Sequence, residues 1–216
     1  MKNKKIWLVA ACAVLALTMS VIGTIAYLTG STGPVVNTFT VGKLLDDPLN
    51  FVVKEHEATD TDKDGVYTLD DGKEVTTNTY DHVLPGVDLP KDPFVKTEET
   101  MKLDAYVFVE VVKSEDFGTN LHFTVDSNNW TEISGATGKN GGQVYAMKAN
   151  GGIAKAGEML GPIKVLTDDK ITVDNAPITD AEAQFGGDVT FYGYMIQAAG
   201  FEDATDAWTK GFATSV

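Results

Sequence analysis

The sequence predicts an all-β protein, a jelly-roll-like β-sandwich with one or two short helices that follows an N-terminal signal peptide. Three observations predict it. Short segments rich in β-branched and aromatic residues occur along most of the chain, glycine-rich turns separate them, and helical spacing appears at only two places. The 216 residues contain no clear linker and no fixed-period repeat, which favours one domain after the signal peptide.

The amino terminus has the pattern of a secretory signal peptide. Three lysines within the first five residues precede an uncharged apolar run at 6–17, and small residues follow as far as Ala26. We therefore expect residues 1–26 to be a signal peptide, cleaved between Ala26 and Tyr27. The alternative is an uncleaved membrane anchor, because the uncharged stretch is long enough to span a bilayer.

The composition is acidic and excludes nucleic acid as a partner. The chain has 31 acidic and 17 basic residues, every basic residue is Lys, and the net charge is −14. Removal of residues 1–26 leaves 14 Lys and a net charge of −17. The single cysteine, Cys12, lies in the signal peptide, so the mature chain has no disulfide. We expect a secreted protein, extracellular or on the cell surface of a Gram-positive bacterium.

The predicted strands follow in chain order. The strongest is 103–112, which is rich in β-branched and aromatic residues. The full set is 35–41, 51–53, 103–112, 121–125, 143–147, 163–166, 171–173 and 189–196, and 134–142 is expected to be a turn. Capping-box spacing at Thr179 predicts a short helix before Gly186, and Phe201, Ala204 and Trp208 predict another over 202–210.

The first predicted strand is the candidate assembly segment. Its residues Val35, Asn37, Phe39 and Val41 face one side, and the threonines between them face the other. Such a strand can add to an open sheet edge through backbone hydrogen bonds while its apolar side chains fix the register. Pairing within its own subunit, as an ordinary first strand, is an equally good interpretation.

The sequence carries no motif that indicates catalysis, and we expect no enzymatic activity. It has no HExxH zinc motif and no GxSxG nucleophile turn. The three histidines, His56, His82 and His122, are far apart in the chain. We therefore expect solvated histidines rather than a zinc site.

One acidic segment has the DxDxDG pattern of a calcium loop. Its candidate ligands are Asp60, Asp62, Asp64, the carbonyl of Val66, and Asp71. The flanking residues resemble strands, so the segment would be a loop site rather than an EF-hand. Calcium is the one candidate cofactor, and a structural role requires none. A solvated hairpin turn with its tip at 63–66 is the interpretation that we prefer.

Three groups of segments together resemble the TasA/camelysin family of secreted proteins, which are processed by the signal peptidase SipW. These are GTIAYLT at 23–29 with VNTFTVG at 36–42, LPGVDLPKDPFV at 84–95, and YMIQAAGF at 194–201, which is followed by Trp208. The resemblance covers both ends and the middle of the chain. The family includes the biofilm matrix fibre protein TasA and camelysin, a surface metallopeptidase.

The resemblance implies a structural protein of the extracellular matrix. Residues 27–216 would form a TasA-like β-sandwich domain that polymerises when segment 27–41 donates its strand to a neighbouring subunit. Its partners would be copies of itself, other matrix proteins and, during export, SipW. The two alternative functions are a camelysin-like metallopeptidase, which the missing HExxH disfavours, and a calcium-assisted carbohydrate- or surface-binding module that uses an exposed Trp130.

Overall fold

The computed structural model describes residues 43–212, which lie in one compact unit that begins at Lys43. Within this range the chain forms eleven strands and two α-helices. The strands are β1 (Phe51–Thr59), β2 (Thr68–Val75), β3 (Leu89–Pro90), β4 (Phe94–Thr97), β5 (Ala105–Lys113), β6 (Leu121–His122), β7 (Trp130–Thr137), β8 (Gln143–Met147), β9 (Ile163–Lys164), β10 (Lys170–Val173) and β11 (Val189–Gln197), and the helices are α1 (Ala181–Phe185) and α2 (Ala204–Gly211).

The strands form three sheets in which every neighbouring pair is antiparallel. The first sheet has the order β2-β1-β4-β9, the second has the order β11-β5-β8-β7, and the small sheet has the order β3-β10-β6. The expected all-β fold class is therefore confirmed. The long pairing of β5 with β11 runs without interruption over nine residues of each strand.

The main hydrophobic core joins residues from the first and second sheets. Val95 on β4 lies in one buried cluster with Val107 and Val109 on β5. The alternate residue Phe108 points to the other face of β5, where its ring centroid lies 5.3 Å from that of Trp208 on α2. Strand β5 is thus buried on both faces, which explains why its sequence is almost continuously apolar.

The structure confirms the strands predicted at 103–112, 143–147 and 189–196, and it adds several that the sequence did not predict. Strand β2 was missed because it is exposed along nearly its whole length and carries four charged residues, so it has no apolar alternation. The turn predicted over 134–142 is wrong in its first half. There β7 continues to Thr137 through an irregular register in which Gly135 has a φ of +77°.

Both predicted helices are present, with small shifts of their ends. Helix α1 is capped by Asp180 rather than by Thr179, because the Asp180 carboxylate accepts the Ala183 N–H at 3.2 Å. Helix α2 is capped by Asp203, which accepts the Asp206 N–H at 2.8 Å. Among residues 43–212, no helix is long and apolar enough to cross a membrane.

Glu110 on β5 is a fully buried carboxylate that ties β5 to β11 and to the turn between β7 and β8. It accepts hydrogen bonds from the Tyr194 hydroxyl at 2.6 Å and from the Asn140 and Gly142 N–H groups at 2.8 Å each. Burial raises the pKa of Glu110, but these hydrogen bonds outweigh burial and hold the pKa below its ordinary value of 4.5. The charged form therefore fixes the turn between β7 and β8 against β5 and β11.

Replacing Glu110 should destabilise the fold in a pH-dependent way. A group whose pKa is lower in the folded state adds stability above its unfolded pKa and loses that contribution as pH falls through the folded pKa. We expect Glu110→Gln to cost about 2 kcal/mol at pH 7 and to cost less below about pH 4.5. Urea unfolding between pH 3 and 7 measures this, with the exposed Glu132→Gln as control. Equal stability of Glu110→Gln and wild type at pH 7 would contradict it.

Candidate functional site

The predicted assembly residues Val35, Asn37, Phe39 and Val41 lie outside the described residues, as do Ala26 and Tyr27 on either side of the predicted cleavage site. The described chain begins at Lys43, two residues after the predicted strand ends. A strand at 35–41 could pair with residues 43–212 only where these offer an unpaired strand edge and an apolar surface.

Strand β11 has an open edge. It pairs with β5 along one edge, and within residues 43–212 no strand pairs with its other edge. All nine of its residues are half-buried or exposed, which is typical of an edge strand. An unpaired edge nine residues long presents backbone N–H and C=O groups that can bind another strand.

Strand β1 passes close to β11 where neither is hydrogen-bonded to the other. A Cβ placed on Gly193 of β11 would lie 2.8 Å from Val53 Cγ2 and 3.0 Å from Phe51 Cε1. Gly193 therefore allows the side chains of β1 to pack directly on β11. In this half of β1, residues 51–54 pair with β4, whereas β2 pairs only with residues 55–59.

An apolar groove lies at the carboxyl-terminal half of β11. Its volume is about 370 Å³ and its lining is almost entirely hydrocarbon; the lining residues are Lys43, Leu44, Leu45, Pro48, Phe51 and Met195. Beside it, Leu49 is 80% exposed. A groove with this lining gains free energy when apolar side chains displace its water. The described chain starts at the groove itself, because Lys43 is one of its walls.

A smaller polar cleft of about 230 Å³ lies at the other end of β11, between β1 and residues 188–191. At this cleft the Lys91 ammonium lies 2.7 Å from the Glu55 carboxylate, and both side chains are buried. Asn78 also lines the cleft and binds the backbone of β1 through His56 C=O at 2.7 Å and Ala58 N–H at 2.8 Å. These contacts hold β1 in place beside β11.

The next residue, Asp92, adds a second fixed contact to β1. It accepts the His56 backbone N–H at 2.9 Å, and its other oxygen lies 2.5 Å from His56 Nδ1. The hydrogen bond to Asp92 raises the pKa of His56 above 6.5. The Lys91-Asp92-Pro93 motif noted in the sequence thus carries a structural role that sequence reasoning did not identify.

The acidic loop connects β1 to β2, so the expected hairpin is confirmed. One carboxylate oxygen from each of Asp60, Asp62 and Asp64 lies within 4.8 Å of the others. Asp71 lies on β2 and does not belong to this group of three, and Val66 is half exposed. The Asp60 side chain is 2% exposed and accepts the Asp64 and Gly65 N–H groups, at 3.1 and 2.9 Å.

The three histidines do not converge on a site, and Trp130 is not on the surface. His56, His82 and His122 have separate neighbours, Asp92, Asp60 and Asp174 respectively, and no group of potential metal ligands among residues 43–212 includes a histidine. The expected exposed Trp130 is wrong. Its side chain is 2% exposed because it belongs to the main core, and its indole N–H donates to the Lys164 carbonyl at 2.8 Å.

Comparison with known proteins gives no match to a family model, to a curated protein or to a solved structure.

The open edge of β11 and the apolar groove beside it were not predicted from the sequence. The sequence gives the strand 189–196, but which strand becomes an edge depends on the order in which distant segments pair.

The acidic loop should depend on Asp60 even without a metal ion. Removing its carboxylate leaves two N–H groups of the turn without an acceptor, so Asp60→Ala should lower stability by about 1–3 kcal/mol in the presence of a chelator. Thermal unfolding in EDTA measures this.

The matched control is Asp62→Asn, which changes an exposed carboxylate of the same loop. It should leave stability in EDTA unchanged and should affect only a calcium-induced rise in melting temperature. If Asp60→Ala is as stable as wild type in EDTA, the hydrogen bonds of Asp60 do not organise the loop.

Proposed function

We propose that this protein is a secreted structural subunit of extracellular fibres or biofilm matrix, which assembles when segment 27–41 of one subunit pairs with a neighbouring subunit. The observation that carries the proposal is the open edge of β11 beside an apolar groove. The alternating strand 35–41 has the residue types that such a site accepts, with backbone groups for the edge and Val35, Phe39 and Val41 for the groove.

The geometry supports donation to β11 in particular. Nine unpaired positions on β11 exceed the seven residues of the donor strand, so the whole strand can be accommodated. The groove offers an apolar surface at one end, and the cleft at the other end has threonine hydroxyls and Asn78. The apolar side chains of the donor strand that reach the groove would pack there, and its backbone groups would pair with the edge of β11 along the strand.

We also propose that the fold is a jelly-roll-like β-sandwich and that residues 1–26 are a signal peptide. Two four-stranded antiparallel sheets share a core, and the chain passes from one to the other between β4 and β5 and between β8 and β9. These crossings support the jelly-roll arrangement. Secretion would bring the Cys-free mature chain to the place where SipW substrates and matrix fibres occur.

No specific observation among residues 43–212 favours either alternative function. The group of three aspartates supports weak calcium binding at most, and the buried Trp130 removes the surface that we expected to bind carbohydrate. For the peptidase alternative, the described residues contain no histidine-bearing group of metal ligands.

Two complementary defects test strand donation directly. A chain that starts at Gly42 lacks the donor strand but keeps the acceptor, whereas Met195→Lys keeps the donor and puts a charge into the groove. Each variant alone should fail to form filaments in electron micrographs. An equimolar mixture should give dimers of one copy of each by mass photometry, because only one donor–acceptor contact is possible.

Met159→Lys is the matched control, since Met159 is exposed and lies outside the groove, and it should form filaments normally. Leu44→Lys provides a second block of the groove in case Met195→Lys perturbs the core. Normal filaments from the chain that lacks residues 27–41 would refute strand donation. Normal filaments from both groove variants would refute the β11 site alone.

A further inference from the structure

A cavity at the end of the main core has features of a binding site that strand donation does not use. Its volume is about 430 Å³, within the range of small-molecule sites. One wall consists of Val111 and Lys113 on β5 with Gln143 and Tyr145 on β8. The opposite wall consists of residues 123–125, which follow β6.

Lys113 places an uncompensated positive charge at this cavity. Its ammonium lies 4.4 Å from the ring centroid of Phe123 and 5.0 Å from that of Phe117, so two aromatic rings hold it in position. Within residues 43–212, none of the ion pairs includes Lys113. Among residues 43–212, nine of the fourteen lysines form ion pairs, and Lys113 is one of the five that do not.

Gln143, which lines the same cavity, carries a second unused donor. Its Nε2 is buried and has no hydrogen-bond partner among the described residues. A buried amide without a partner costs about 1–3 kcal/mol, so an acceptor that reached it would be favoured by that amount. The main chain of Gly141 and Gly142 lines the cavity next to it, without side chains that would narrow the opening.

We propose that this cavity binds a small carboxylate with a short apolar body. The carboxylate would accept from the Lys113 ammonium and the Gln143 amide, and the apolar body would pack on Val111, Val125 and Phe123. One lysine and one amide suit a single planar carboxylate, whereas a phosphate is favoured by several cationic groups or by a cluster of backbone N–H donors. The acid is therefore an aromatic or aliphatic one.

Equilibrium dialysis of radiolabelled benzoate against the chain that starts at Tyr27 tests the site, because dialysis works on monomers and filaments alike. We expect saturable binding at one site per chain. The neutral isostere benzamide should compete at least tenfold less well than unlabelled benzoate, because it keeps the shape but lacks the charge. D-glucuronate is compared as a second competitor. It should compete less well than unlabelled benzoate because its body is polar, and equal competition would overturn the apolar part of the proposal.

Substitutions assign the binding to these two side chains. Lys113→Met should weaken benzoate binding by about tenfold or more, and Gln143→Leu should weaken it severalfold. Lys139→Met is the matched control. Lys139 also stacks on aromatic rings, 4.9 Å from the centroid of Phe212 and 5.7 Å from that of Tyr194, but it lies outside the cavity.

Lys139→Met should bind benzoate like wild type. Circular dichroism spectra that match the wild type establish that the variants are folded. Absence of saturable benzoate binding overturns the proposal. So does equal weakening by Lys113→Met and Lys139→Met, which would indicate a general effect of net charge. Unchanged binding by both Lys113→Met and Gln143→Leu overturns it as well.

Discussion

Strand β5 is the element on which the rest of the structure depends. One set of its alternating side chains, including Val107 and Val109, packs into the core between the two large sheets, and the other set, including Phe108, packs under α2. It also pairs with β8 on one edge and with β11 on the other. Burial of both faces and pairing of both edges make β5 the most constrained strand, and its neighbours take their positions from it.

This arrangement determines where the molecule can accept a further strand. Because β5 occupies the interior of its sheet, β11 is left with one paired edge, and the nearby half of β1 does not hydrogen-bond to it. An open edge beside an apolar groove is a hazard for a protein, since it can pair with any exposed strand. A donor strand carried by the same chain would turn that hazard into a specific contact, with the groove selecting for side chains such as Phe39.

The sequence predicts the interior of the fold better than its edges. Strand β5 could be predicted because burial on both faces demands β-branched and aromatic residues. Strands β8 and β11 are less buried, but each is partly covered by the core and carries enough apolar residues to be predicted too. Strand β2 could not be predicted, because an exposed edge strand places no such demand on residues such as Asp70 and Glu74. The calcium-loop pattern lies in a turn between two strands, and the carboxylates of Asp60, Asp62 and Asp64 converge there because they are close in sequence, whereas the predicted ligand Asp71 lies on β2 outside this group.

The groove and the cavity at Lys113 could not be predicted from the sequence for a different reason. Leu44 and Met195 are 151 positions apart, and Lys113 and Gln143 belong to different strands. Their proximity depends on the order of strands in the sheets, which no local pattern encodes. The buried pair of Lys91 and Glu55 is another example, since nothing in the sequence around either residue indicates that its charge will be buried.

Cysteine cross-linking of chains that start at Tyr27 tests the central claim most directly, because residues 27–216 contain no cysteine. One set of subunits carries Met195→Cys, and another carries a single cysteine at one position of 35–41. Strand donation predicts disulfide-linked dimers of the two kinds of subunit from only one or two neighbouring positions among Val35, Asn37, Phe39 and Val41, and much slower cross-linking from positions 36, 38 and 40. A disulfide joins Cα atoms about 4.4–6.8 Å apart, whereas alternate residues of a strand lie about 7 Å apart, so the reactive position identifies the register of the donor strand on β11. A third kind of chain carries both cysteines and reports pairing within one subunit. Strand donation is contradicted if these chains form an internal disulfide while no position of 35–41 gives a cross-link between subunits.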